Sequence, residues 1–316
     1  MSQSDVYSMG MFFFGIVAIY VMAGIMLIGA VIQWKTGKRV SPAWVWIRRA
    51  VFGIAIVGIL CIVYGYFVEP YWLEVKHVRL DSAKLSSATR PIKVVLISDL
   101  HCDRRHLRED DLPALIATEH PDCVLFAGDC ANVAAEIPRF QKILKQISGT
   151  APTYGVQGNW DADQWRHIKI FENTGVHELD GNSDQLDIAG QKVAFAGVGY
   201  GSADRIDKAL KSIPSNAFCI FLSHSPDLVP ALAAKSVDLF CAGHTHGGQI
   251  ALPFYGAINT GCATGKKFES GLYKVGNMYV YVNRGVGVDG WGPRVRFCAR
   301  PEVTVLELVE SHSSNK

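Results

Sequence analysis

The chain has 316 residues, 49% hydrophobic and 19% charged, with 31 Lys and Arg against 29 Asp and Glu. A net charge of +2 supplies no long-range field to gather a polyanion, so no nucleic-acid partner is expected. The apolar content excludes a disordered chain. Residues 1–68 hold five bases and one acid, Asp5, whereas from Glu69 onward there are 26 bases and 28 acids.

Two uncharged apolar stretches, 11–33 and 50–68, each match the ~20 apolar residues that cross a bilayer. Trp34, Trp44, Trp46 and Trp72 fall at their ends, where an indole prefers the headgroup region. Residues 1–75 are therefore predicted to be a membrane anchor of two transmembrane helices, and 76–316 a separate domain. A cleaved signal peptide fits poorly, because the first run is long and no base precedes it. Lys35, Lys38, Arg39, Arg48 and Arg49 lie between the spans with no acid. The positive-inside rule puts that loop in the cytoplasm and the domain outside it. Cysteine usage points the other way. Of eight cysteines, Cys123, Cys219 and Cys241 sit in apolar strand-like runs and Cys61 in the second span. They read as buried, reduced thiols, which suit a cytosolic domain.

Beyond the spans, short β-rich apolar runs at 92–98, 122–127, 193–197, 217–223 and 238–242 predict buried strands, as do 278–283 and 302–309. Helical spacing predicts helices at 110–120, 134–148, 161–173 and 204–212. One α/β domain with helices covering its sheets follows.

Polar residues of metal-ligand type gather in five motifs, most of them at the ends of predicted strands: Ser98 to His101 (SDLH), Gly128 to Cys130 (GDC), Gly158 to Asp161 (GNWD), Ser223 to Asp227 (SHSPD) and Gly243 to Gly248 (GHTHGG). Asp99 and His101 are two apart, as are His244 and His246, so in extended segments each pair would share a face. Carboxylate and imidazole together suit Mn, Fe, Zn or Ni. The glycines before Asp129, Asn159 and His244 are expected to let the backbone approach an ion.

This series of motifs, over about residues 92–308, resembles the calcineurin-like metallophosphoesterases. The ending GHTHGGQ, with Asn283-Arg284-Gly285 and Arg300-Pro301-Glu302, is similar to a membrane-associated branch. That branch includes bacterial phosphodiesterases and the UDP-2,3-diacylglucosamine diphosphatase of lipid A synthesis. The resemblance implies a four-layered α/β/β/α sandwich around two divalent metal ions. It implies Asp99, His101 and His246 on one ion, Asn159, His224 and His244 on the other, and Asp129 between them. A water acidified toward pH ~7 by the ions would then attack phosphorus.

The resemblance implies His, as a general acid, or Arg, as in related lipid A hydrolases, where this chain has Trp160. General acid catalysis contributes ~10²–10⁴-fold, so its loss favours leaving groups already stable as anions, as in pyrophosphate cleavage. His106 is a second proton source to weigh. Arg284, Arg294 and Arg296 are candidates to meet phosphate. Asp129, Asn159 and Arg284 make up the expected catalytic set. Pro253, Phe254, Tyr255 and Trp291 are candidates for an apolar rim facing the membrane. The expected function is metal-dependent hydrolysis of a phosphodiester or pyrophosphate, with a lipid-linked substrate and the bilayer as partners. Two alternatives stand beside it. One is the UDP-2,3-diacylglucosamine diphosphatase, which needs a cytosolic site. The other is a non-catalytic metal-binding receptor or scaffold.

Overall fold

The computed structural model describes residues 2–289 and 294–311; Trp291 lies outside them. Helices α1 (Gln3–Thr36) and α2 (Pro42–Phe67) overrun the apolar stretches that predict them. The Ser2 hydroxyl caps α1 by accepting from the Asp5 N–H, and Gly37 ends it at φ 67°. That left-handed turn is one a Cβ would strain. Ser41 and Pro42 then start α2. Both helices are long and apolar enough to cross a membrane. Most of their large apolar side chains are exposed, so the pair fits a transmembrane hairpin. Tyr20 donates to the Ala55 carbonyl, and Arg48 to Gln33, between the two helices.

The rest is a sandwich of two six-stranded sheets. The first contains β1 (Glu74–Ser82), β2 (Ile92–Ile97), β3 (Cys123–Phe126), β4 (Thr153–Gly155), β5 (Val176–Glu178) and β14 (Glu302–Glu310), in the order β1-β14-β2-β3-β4-β5. The second contains β6 (Asn182–Ile188), β7 (Gln191–Val198), β8 (Phe218–Ser223), β9 (Leu239–Ala242), β12 (Gly271–Val275) and β13 (Met278–Val282), in the order β12-β13-β9-β8-β7-β6. A small hairpin, β10 (Ala251–Leu252) and β11 (Gly256–Ala257), stands apart. Strands β2 to β5 run parallel, as do β7, β8, β9 and β13.

Three apolar layers hold the stack together. Leu96, Leu125, Tyr154, Phe195, Leu222 and Tyr281 fill the space between the sheets, with Tyr154 and Phe195 stacked at 4.4 Å across it. Helices α3 (Leu112–Glu119) and α4 (Ile137–Ser148) cover the outer face of the first sheet. Along α4 the buried residues are Ile137, Phe140, Ile143, Leu144 and Ile147, one stripe at helical spacing. Helices α6 (Ile206–Leu210) and α7 (Val229–Leu232) cover the second sheet. The architecture is the four-layered α/β/β/α sandwich.

The helix predicted over 161–173 is instead the short α5 (Asn159–Gln164) followed by turns. Ile170 and Phe171 are both buried, but in the turns that follow α5. Strand β1 escaped prediction because it is an edge strand with a mostly polar, half-exposed sequence.

The ends of the hairpin are embedded in the sandwich. Asp5 accepts from the N–H and hydroxyl of Thr260, and Ser8 and the Tyr255 hydroxyl are 2.7 Å apart. At the far end of α2, Arg105 donates to the Tyr66 carbonyl and the Tyr71 hydroxyl.

Candidate metal centre

Parallel strands deliver their polar residues to one edge of the sandwich. Asp99 follows β2, Asp129 follows β3, Asn159 follows β4, His224 follows β8 and His244 follows β9. The carboxyl ends of such strands are where open α/β sheets form their sites.

These segments are not extended, contrary to the expectation of shared strand faces. Asp99, His101, Asp129, His244 and His246 all have φ between 40° and 72°. Side chains other than glycine adopt that region at a cost. Neighbouring loops hold them there: Asp99 N donates to Gly128 O, His101 N to Asp129 O and Cys102 N to Cys130 O, at 2.8–3.1 Å. Asp161, itself buried, accepts from the N–H groups of Asp129, Cys130 and Gly158 and so ties two motif loops together. Asn283 accepts from the Ser98 hydroxyl and the Gly285 N–H, joining the two sheets. The motif glycines serve this packing. A Cβ on Gly128 would stand 2.6 Å from Gly158 N and 2.8 Å from His224 Nδ1.

A continuous set of contacts joins the seven expected ligands. His246 Nε2 is 3.5 Å from Asp99 Oδ1, and His101 Nε2 is 3.5 Å from Asp129 Oδ2. His224 Nε2 is 3.3 Å from Asp129 Oδ2, 2.8 Å from Asn159 Oδ1 and 3.0 Å from His244 Nδ1. The His244 N–H reaches the Asp99 carboxylate at 3.1 Å. Asp99, His101 and His246 form one buried group that could hold a metal ion; Asp99, Asp129 and His224 form another.

The donor set fits a cation. Both ring nitrogens of buried His101 lack a hydrogen-bond partner, which is costly for a group shut away from water. His224 donates Nδ1–H to Ala127 O at 2.7 Å, so in the neutral ring its Nε2 lone pair faces other lone pairs. Burial pushes Asp99 up to about 7, and the Asp129 charge adds to this. Burial raises Asp129 as well. Burial works against a charged His224, yet Asp129 and Asp99 carry its pKa up to about 10. Thus the cluster, short of positive charge, gathers a proton. Burial holds His101 and His246 well below the ordinary histidine value, and His244 down to about 3, with the His224 charge contributing in each case. Neutral imidazole is the form that ligates metal.

Trp160 sits edge-on to His101, with ring centroids 5.7 Å apart. Its backbone N–H donates to Asp129 Oδ1, leaving Oδ2 turned toward His101 and His224. On the other side, half-exposed Tyr200 lies 6.2–6.3 Å from the His224 and His244 rings.

The three candidate arginines each have protein partners. Arg284 donates Nε to Glu302 and Nη2 to Glu74, at 2.6 and 2.5 Å, an ion-pair triad. Arg294 pairs with Asp103. Arg296 is wholly buried and lies 3.2 Å from His246 Nδ1. His106 is exposed and faces Glu136. The roles of Asp161 and Asn283 had no signal in sequence beyond their place in the motifs.

Residues 92–276 match the calcineurin-like phosphoesterase superfamily domain. The chain is 30% identical over 277 residues to the uncharacterized metallophosphoesterase YkuE of Bacillus subtilis, covering 82% of this chain and 95% of YkuE. It is 29% identical to the phosphodiesterase YaeI of Escherichia coli, covering 78% and 92%. The solved structure of TT1561 from Thermus thermophilus overlaps 62% of this chain and 90% of its own, at 15% identity and a TM-score of 0.44. By its sequence match, the chain belongs to the calcineurin-like phosphoesterase superfamily and is a metal-dependent phosphoester hydrolase.

Proposed function

We propose that this protein is a membrane-anchored hydrolase that uses two divalent ions (Mn, Fe, Zn or Ni) to cleave a phosphodiester or pyrophosphate bond in a lipid-linked substrate. The observation that carries the reading is the convergence of Asp99, His101, Asp129, Asn159, His224, His244 and His246 at one sheet edge. Asp99, His101 and His246 would hold one ion and Asn159, His224 and His244 the other, with Asp129 shared. When bound, such ions polarise phosphoryl oxygens and acidify water toward neutral pH.

The chain's own residues do the positioning. The Trp160 N–H fixes Asp129 with one oxygen facing both halves of the cluster. Ala127 O fixes the His224 tautomer, leaving Nε2 to ligate. Trp160 packs beside His101 and Tyr200 beside His244. An indole stands where the family resemblance implies an acid, and exposed His106 pairs with Glu136. The leaving group must depart as a stable anion, which favours a phosphorylated one.

Support for a lipid-linked substrate comes from the hairpin. Asp5 of α1 holds the Thr260 loop, whose Gly261 lies so close that a Cβ there would be 3.4 Å from His244 Nε2. Fully exposed Phe254 stands beside Tyr255, which meets Ser8 of α1. Such tethering raises the effective concentration of membrane substrates. The loop charge supports a domain outside the cytoplasm.

The test compares hydrolysis of a lipid pyrophosphate with that of a matched alkyl phosphodiester, both in mixed micelles with Mn²⁺. Faster cleavage of the pyrophosphate is expected. Restoring the acid with Trp160→His should raise alkyl-ester turnover about tenfold or more. A preference of the unaltered protein for the alkyl ester would falsify the leaving-group argument.

A further inference from the structure

The turn that ends α2 is fastened to a loop that also backs the candidate metal centre. Arg296 N donates to Gly65 O at 2.9 Å. Gly65 leaves no room for a side chain there: its Cβ would stand 2.8 Å from Arg296 O and 3.6 Å from Val295 Cβ. One turn on, Glu69 is 1% exposed and accepts from the N–H groups of Cys298 and Ala299, at 2.9 and 2.5 Å. Three backbone donors within four residues thus hold the 296–299 loop against the end of the hairpin.

From that loop the Arg296 side chain reaches inward. It donates to the carbonyls of Arg284, Gly285, Gly287 and Ala299 and lies 3.2 Å from His246 Nδ1. No carboxylate is among these hydrogen-bond partners, an expensive arrangement for a buried cation. The glycine carbonyls it holds belong to a segment pressed against two other residues of the cluster. A Cβ on Gly285 would be 2.6 Å from Asp99 Cβ, and one on Gly287 would be 2.9 Å from His101 Cβ. Arg296 therefore backs Asp99, His101 and His246 together, which are one of the two groups that could hold an ion. It has no hydrogen bond to Asn159, His224 or His244 among the described residues.

We infer that Arg296 is a positioning residue for the Asp99–His101–His246 half of the metal centre, and that Gly65 and Glu69 of the hairpin set its position. On this view the helical hairpin is part of the metal site as well as an anchor. Displacing the 296–299 loop should loosen one ion and leave the other bound. The inference rests on reading the cluster as a metal centre.

The test uses the full chain in detergent micelles, stripped of metal and titrated with Mn²⁺ by calorimetry, with stoichiometry checked by Mn²⁺ spin resonance. Gly65→Ala adds only a methyl group and improves helix propensity, yet forces Arg296 O to move. Gly53→Ala on the same helix meets nothing within 4 Å and is the control. Loss of partners behind metal ligands typically weakens affinity ~10–100-fold. The expected result is a loss of that size at one of two Mn²⁺ sites in Gly65→Ala, with the other site and Gly53→Ala unchanged. Glu69→Gln, which presents a donor to one of two N–H groups, should act the same way and serves if Gly65→Ala does not fold. Wild-type affinity at both sites in the folded variant would overturn the inference, as would equal weakening of both. A wild-type chain that binds no Mn²⁺, Zn²⁺ or Fe²⁺ would instead sink the metal-centre reading itself.

Discussion

The hairpin and the sandwich follow opposite rules. In the sandwich, Phe195, Leu222 and Val305 are buried, and the charged residues that join them inside, such as Asp99, Asp129, Asp161, Arg296 and Glu302, are few. In the hairpin, Ile25, Ile56, Leu60 and many like them are exposed, while Asp5, the single acid of the first 68 residues, is 1% exposed. On the proposal that lipid surrounds these helices, apolar surface there has no reason to hide, and Asp5 is the one polar side chain buried in either helix. What the hairpin gives the sandwich is concentrated at its ends, beside the loops that carry His244 and His246.

The sharpest way to break this contrast is to truncate one apolar side chain in each region. Phe195→Ala removes half of the Tyr154–Phe195 stack between the sheets and should cost ~3–5 kcal/mol. Ile56→Ala on the exposed face of α2 should change the melting of the sandwich by no more than ~0.5 kcal/mol. Thermal unfolding in detergent measures both. Comparable losses would show that α2 packs against the sandwich along its length rather than at its end.

A smaller effect should follow from Asp5→Ala. It strands the Thr260 N–H and hydroxyl, both buried, at a cost of about 1–3 kcal/mol. Because Gly261 abuts His244, hydrolysis should also slow, whereas Asp163→Ala on the surface should do neither. An Asp5→Ala protein with wild-type melting and turnover would reduce the α1 contact to a coincidence of packing.

The contrast also explains what could be read from sequence. Strands such as β2, β3, β8 and β9 announce themselves because burial on both faces demands unbroken apolar runs. Six of the seven expected ligands stand just beyond such runs, the exception being Asn159 after the short β4, so the order of the motifs along the chain was enough to imply their convergence. Less legible was how they converge. The left-handed backbone at Asp99, His101 and Asp129 is imposed by hydrogen bonds between loops distant in sequence. Nothing in the spacing of Arg284 distinguishes a phosphate ligand from a partner of Glu74 and Glu302, because both carboxylates arrive from other strands. Asp5 and Glu69 were invisible for the same reason: their partners lie more than 200 residues away.

The smallest effect comes from the buried ligand cluster of the sandwich. In the metal-free chain His224 is held up to about 10, against burial, by Asp129 and Asp99, compared with ~6.5 for the unfolded residue. Its stabilising contribution is complete below pH ~6.5 and is lost as pH rises through about 10. Burial lifts Asp99 to about 7 from ~3.9 unfolded. The folded state thus favours its neutral form, a contribution complete below pH ~3.9 and lost as pH rises through about 7. Both groups make the metal-free protein less stable as pH rises from about 6 to about 8.5. Metal acts oppositely, since it needs Asp99 and His224 deprotonated and displaces their protons on binding. Melting temperatures with chelator and with Mn²⁺ should therefore diverge by several degrees as pH rises over that range. Parallel curves would mean that the cluster's proton is not what a cation replaces, and that the histidines and carboxylates are held together for packing alone.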